Sequence, residues 1–390
     1  MKRQEHGRHL TTTADAIPSH NRDIGADLTR SLAIFCVIGV HALPQTVPLS
    51  LGIGRESAGL AIRAFTQFVQ LFCQIGVPLF IAITGYLMLD RDYSGPRLKR
   101  FITNNLVPII VSFELWNLLM ATIRQYVSHD LTIGIIVRSA LLLGEPTVGH
   151  LWYLQMIIGA YCAIPVLSWV LRKAHTAGTE RYLIAFTLLL ILYRSIIPTI
   201  ESYANLMQYT LGIVIKYEPI VSDLSWILIP LLTGYALKRG MLAKCSLPFL
   251  IAMFTASAIG LTVDGMIWLT YGTPGTPLLP DYRVNDIFIL FATLSTFALI
   301  ERISSYHHPQ WMQSISQQIA QQAYGIYVIH FPIIWVLSFF WHPTAHSWIN
   351  FILYFLIALI PSSAITAICM QIPVISKWLF LYKKKISTKQ

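Results

Sequence analysis

Apolar residues run in long blocks along this chain, broken by short polar segments. A block of about 20 apolar residues is long enough to cross the hydrocarbon of a bilayer as a helix. Ten such blocks stand out, at 28–48, 68–89, 104–125, 149–171, 182–199, 223–239, 247–271, 285–303, 319–340 and 347–370. The stretch 131–143 is apolar but too short to span, and it predicts a re-entrant or interfacial helix. The pattern predicts an all-α, polytopic membrane bundle of about ten transmembrane helices. It divides the chain into an irregular polar N-terminal tail at 1–25, a membrane domain at 26–372 and a basic C-terminal tail at 373–390.

Composition agrees with the blocks. Hydrophobic residues make up 55% of the chain and charged residues only 12%, against about 25% charged in soluble domains. Positions facing lipid or a neighbouring helix do not carry a solvated charge without penalty. The net charge of +10 would suit nucleic acid, but the basic residues lie in short segments between spans. No basic patch interleaves with exposed aromatics, so nucleic-acid binding is set aside.

The same basic residues give an orientation. Twenty of the 28 Lys and Arg fall in the N-terminal tail, in the loops around Arg91–Arg100, Arg172–Arg181, Lys238–Lys244 and Arg302, and in the C-terminal tail. Of the other eight, Arg30 sits at a cytoplasmic membrane edge and the remaining seven fall outside or within a span. Cytoplasmic loops carry such an excess, so an even number of spans with both termini in the cytoplasm is expected. Of the five cysteines, Cys36, Cys73, Cys162 and Cys369 lie inside apolar blocks and Cys245 in a basic loop, with no CxxC pair. Neither a disulfide framework nor a metal site is expected. Small apolar packing residues are the simpler reading of them.

Ionisable residues inside a span are expensive, which makes each a candidate site. The first span carries Asp27, Arg30 and His41. Eleven residues make about three whole helical turns, so Arg30 and His41 share one face, with His41 about 16 Å deeper. An arginine at the membrane edge can hold a phosphate through its planar fork, and a buried histidine can exchange a proton near neutral pH. A long carrier with phosphates at one end and a thioester at the other, the shape of coenzyme A, fits that spacing. The alternative carries equal weight: Arg30 snorkels to lipid headgroups and His41 bonds a neighbouring helix. His330 lies in mid-span, two residues before Pro332, which frees a backbone carbonyl one turn back. His150, Trp152 and Tyr153 sit at the outer mouth of the fourth span, either as an aromatic belt or as an acceptor contact. Glu114, Asp264 and Arg194 are further charges inside spans.

These residues lie in four blocks that resemble the acyltransferase-3 family of bacterial membrane O-acyltransferases. Asp27-Leu28-Thr29-Arg30-Ser31-Leu32-Ala33-Ile34 followed by His41 is similar to the family's first-span motif. Gly76-Val77-Pro78-Leu79-Phe80-Ile81-Ala82-Ile83-Thr84-Gly85-Tyr86-Leu87 is similar to its second-span signature, with Thr84 where Ser is usual. His150-Leu151-Trp152-Tyr153 with Pro165, and Tyr324-Gly325-Ile326-Tyr327-Val328-Ile329-His330, resemble two more. One departure is Asn105, three residues before Pro108, where the family often has Arg; Arg97, Lys99 or Arg100 could supply that charge.

The resemblance implies a multi-pass protein of a bacterial inner membrane. Its expected reaction moves an acyl group, acetyl first of all, from acyl-coenzyme A to a hydroxyl of a surface polysaccharide or its lipid-linked precursor. Acetyl-coenzyme A is then a donor substrate, and no resident cofactor is expected. Arg30 with Arg97, Lys99 and Arg100 would hold the donor, and His41 would act as general base or acyl carrier. His150, Trp152, Tyr153 and His330 would line the acceptor side. The rival is a multi-span transporter exporting a glycan or small solute, which predicts broken helices and two related halves. No half-to-half similarity is evident in the sequence.

Overall fold

A computed structural model describes residues 23–382, apart from 131, 144–145, 198, 201–221, 242–244, 272–285, 307 and 342–346. The tail up to Arg22, the end 383–390 and nearly all of the expected outer segments at 200–221 and 272–284 lie outside the described residues. Among the described residues every regular element is helical. The longer ones are α1 (Ile24–Thr46), α2 (Leu60–Cys73), α3 (Gly76–Met88), α4 (Pro96–Ser128), the short α5 (Ile133–Ala140) and α6 (Trp152–Thr176). They continue with α7 (Glu180–Ile191), α8 (Ser222–Lys238), α9 (Leu247–Tyr271), α10 (Ile287–Ser304), α11 (Gln310–Phe340), α12 (Trp348–Cys369) and the short α13 (Pro373–Trp378).

Eight described helical segments are long and apolar enough to cross a membrane, with α2 and α3 counted as one. The other two expected spans correspond to α7, extended by a π turn at Leu192–Ile196, and to the shorter α8. The protein is a multi-pass membrane bundle. The short apolar stretch at 131–143 forms α5, capped by Thr132, whose hydroxyl accepts from the Ile135 amide. The Asp23 side chain caps α1 in the same way by accepting from the Ala26 amide at 3.0 Å, and Asp286 caps α10 through the amides of Phe288 and Ile289. Such caps satisfy helix amides that have no partner within the helix.

Without a hydrophobic drive between helices in lipid, small residues let backbones approach. The crossing of α3 and α8 shows this. A Cβ on Gly85 would collide with the Leu231 carbonyl, and one on Gly234 with the Ala82 carbonyl.

The basic loops meet on one face of the bundle. Asp92, after α3, pairs with Arg97 at 2.5 Å and with Arg172 at the end of α6 at 2.7 Å. Arg239, after α8, meets His175 at 2.5 Å and Asp90 at 3.6 Å. Arg302 donates to the Cys245 carbonyl at 2.6 Å. One expected boundary moves: residues 373–382 fold back on the bundle rather than starting a tail. The Leu379 carbonyl accepts from Ser112 Oγ and Trp116 Nε1 of α4 at 3.0 and 2.9 Å, and Phe380 is buried.

Candidate active site

A cavity of about 370 Å³ opens between α1, α3, α4, α6 and α11. Arg30 and Arg91 line it together with Thr84, Asn105, Tyr153, Tyr161, Tyr324 and Tyr327. Arg30 leans on Asp27, one turn earlier, at 3.7 Å. Asp27 is buried, so the guanidinium is oriented by a carboxylate that water scarcely screens.

Asn105 reaches this wall from a π turn at Ile102–Leu106 inside α4. Such turns shift the facing of the residues they contain and recur at functional sites. Phe380 and Leu381 complete the wall from the folded-back C-terminal segment.

Deeper along α1, His41 meets α11. Its ring centroid lies 5.4 Å from that of His330 and 5.1 Å from that of Phe331. His150 stacks on Phe331 at 4.6 Å and stands 6.1 Å from His330. Three histidines distant in sequence therefore converge around one phenylalanine. Tyr327 links the two regions: it lines the cavity, meets Tyr153 edge-on at 5.3 Å, and donates its hydroxyl to the His150 carbonyl.

His330 is wholly buried. Its Nδ1 faces the carbonyls of Ile326 and Tyr327 at 3.1 and 2.6 Å. Carbonyls only accept, so Nδ1 carries the proton and Nε2 is a bare acceptor. That Nε2 has no hydrogen-bond partner among the described residues. A buried polar atom left so costs about 1–3 kcal/mol. The carbonyl freed by Pro332 is that of Val328, and it faces the His150 ring.

The segment carrying His150 is held from α4. The Asn117 side-chain oxygen accepts from the Thr147 amide at 3.1 Å and from the Ser139 hydroxyl at 3.1 Å, while Arg124 donates to the Thr147 carbonyl at 2.7 Å. Asn117 is buried. A lone Asn in an apolar block gives no hint of this role in the sequence.

The expected residues divide accordingly. Arg30 and Tyr153 line the cavity, and His41, His150 and His330 gather beyond it. Trp152 is 38% exposed and touches Tyr153 edge-on at 6.5 Å, off the cavity wall. Arg97, Lys99 and Arg100 are exposed and do not line the cavity. From that loop Arg91 does, along with Tyr324 and with Tyr161, which the sequence did not single out. Asp264 is buried beside Asp286, away from this site, and Glu114 and Arg194 are half-buried. Among the described residues no cluster of His, Cys, Asp and Glu is arranged to hold a metal.

What can this arrangement do chemically? It offers cations and hydroxyls along a cavity, and a set of three imidazole rings, two of them buried, about three helical turns from Arg30. A family model described as an acyltransferase domain matches residues 23–370, nearly the whole chain. No curated protein matches the chain, and no solved structure matches it either.

Proposed function

Starting from the chain's membership of the acyltransferase-3 family, we propose that it transfers an acetyl group from acetyl-coenzyme A to a hydroxyl of a surface polysaccharide or its lipid-linked precursor. Membership makes it a membrane acyltransferase; the donor, the acceptor and a bacterial inner-membrane location are the proposal. One observation carries it. Arg30 and Arg91 line the same cavity as Tyr153 and Tyr327, and Tyr327 in turn stands beside His150 and His330.

Arg30 and Arg91 hold the donor phosphates at the basic face, which is the cytoplasmic face in this reading. Arginine suits phosphate because its fork of donors is planar and always charged. The tyrosine-lined cavity takes the thioester arm. His41 takes the proton from the attacking hydroxyl. The hydroxyl oxygen bonds to the carbonyl carbon, the carbon–sulfur bond breaks, and the sulfur leaves with the proton returned by His41. His150 lines the acceptor side, with Trp152 at its outer rim.

The test is label transfer from radiolabelled acetyl-coenzyme A into glycan in membranes bearing the protein. A general base contributes about 10²–10⁴-fold, so His41→Ala should lower the rate by that order. Full transfer by a His41→Ala protein at normal level would refute the assignment.

A further inference from the structure

We infer that His330 is a positioning residue for His41: its bare Nε2 becomes the acceptor for the second N–H of His41 once that ring has taken the proton, fixing which His41 nitrogen faces the attacking hydroxyl. The inference rests on His41 being the base. Three observations carry it. The Nδ1 of His330 is committed to the carbonyls of Ile326 and Tyr327 at 3.1 and 2.6 Å, which fixes the tautomer. Its Nε2 is buried and has no hydrogen-bond partner among the described residues. The His41 ring stands 5.4 Å away, centroid to centroid.

The chemistry of the pair follows. Taking the hydroxyl proton turns His41 into an imidazolium, whose second N–H points at an acceptor held by its neighbour. His330 shares that charge while the oxygen–carbon bond forms. The proton then passes from His41 to the leaving sulfur as the carbon–sulfur bond breaks, and both rings end neutral. A carboxylate in the same role would bring a permanent charge into an apolar span, at a cost that a neutral imidazole avoids. The titratable rings within about 6 Å of His330 are His41, His150 and Tyr327. None of them carries a negative charge at neutral pH.

The experiment measures kcat, KM for acetyl-coenzyme A and the pH dependence of kcat in membranes with their native acceptor. His330→Phe keeps an aromatic ring and removes the acceptor. His330→Asn keeps an acceptor oxygen. The Phe variant should lose about ten- to a hundredfold in kcat with KM for the donor little changed. Its acid limb should move to lower pH, because the His41 imidazolium has lost its acceptor. The Asn variant should lie between the two, with its acid limb near that of the wild type. A Phe variant with wild-type kcat and acid limb would overturn the inference, as would equal losses and equal limbs in both variants. Accumulation of the Asn variant alone, at the wild-type rate, would assign His330 to folding and overturn it too. His41→Ala run alongside separates the two readings: if it is inactive while His330→Phe is wild type, only the role of His330 falls.

Discussion

Replacing Arg30 with Ala takes a guanidinium from the cavity mouth and leaves the histidines, about three turns away, in place. A hydrogen bond to a charged group is worth about 1.5–3 kcal/mol. KM for acetyl-coenzyme A should therefore rise about ten- to a hundredfold, with a smaller effect on kcat. Arg91→Ala should act in the same direction. Donor binding unchanged in both variants would remove the phosphate role from this mouth. Asp92 gives a pH test on the basic face. Its carboxyl is held down to about 2, from 3.8, first by the Ser94 amide and hydroxyl and then by Arg172. A carboxyl depressed by folding stabilises the fold above its unfolded pKa, and that part is lost as pH falls through the folded value. Thermal unfolding of the purified protein should thus lose a component between about pH 4 and pH 2. Asp92→Asn should lack that component, and identical acid profiles would count against the clamp.

Single helices in this bundle were legible wherever the apolar block was long. α1, α4, α6, α9, α10, α11 and α12 all fall on expected spans. What decides their packing is small residues, which leave little trace in a hydropathy pattern. Gly85 is the sharpest case, because an added Cβ would meet the Leu231 backbone of α8. Gly85→Ala must push two backbones apart, and overpacking of this kind costs about 1–3 kcal/mol. The variant should unfold at a lower temperature or accumulate less. Wild-type thermal stability in detergent would show that the crossing yields easily. The π turn at Ile102–Leu106 was equally hidden: its sequence, Ile-Thr-Asn-Asn-Leu, has no proline or glycine to announce it. It nonetheless brings Asn105, three residues before Pro108, to the cavity wall.

For the molecule as a whole, the two ends of the site differ. Cations lie at one end and imidazole rings at the other, so on the proposed function a donor that cannot cross the bilayer should work from one side only. In sealed vesicles, acetyl-coenzyme A should support transfer when the basic face is outside and not when it is inside. Equal rates from both sides would contradict the orientation. The transporter alternative makes the opposite demand, that labelled solute cross liposomes with no acyl donor present. Donor-dependent esterification without such movement would favour the enzyme.

The sequence by itself determined that the chain lives in a bilayer, because runs of some 20 apolar residues are a local property that no packing can reverse. It also determined that Arg30 and His41 share a helix face, since helical periodicity fixes direction over a few turns. Only the tertiary structure decided which residues from other helices complete the site. His41, His150 and His330 are more than a hundred residues apart from one another and become neighbours through the packing of α1, α6 and α11. The same packing chose Arg91 over Arg97, Lys99 and Arg100 for the cavity, turned residues 373–382 back on to the bundle, and left one nitrogen of His330 bare. Such choices depend on which side chains fill space across helices, and that information is spread over distant positions rather than written in any one stretch.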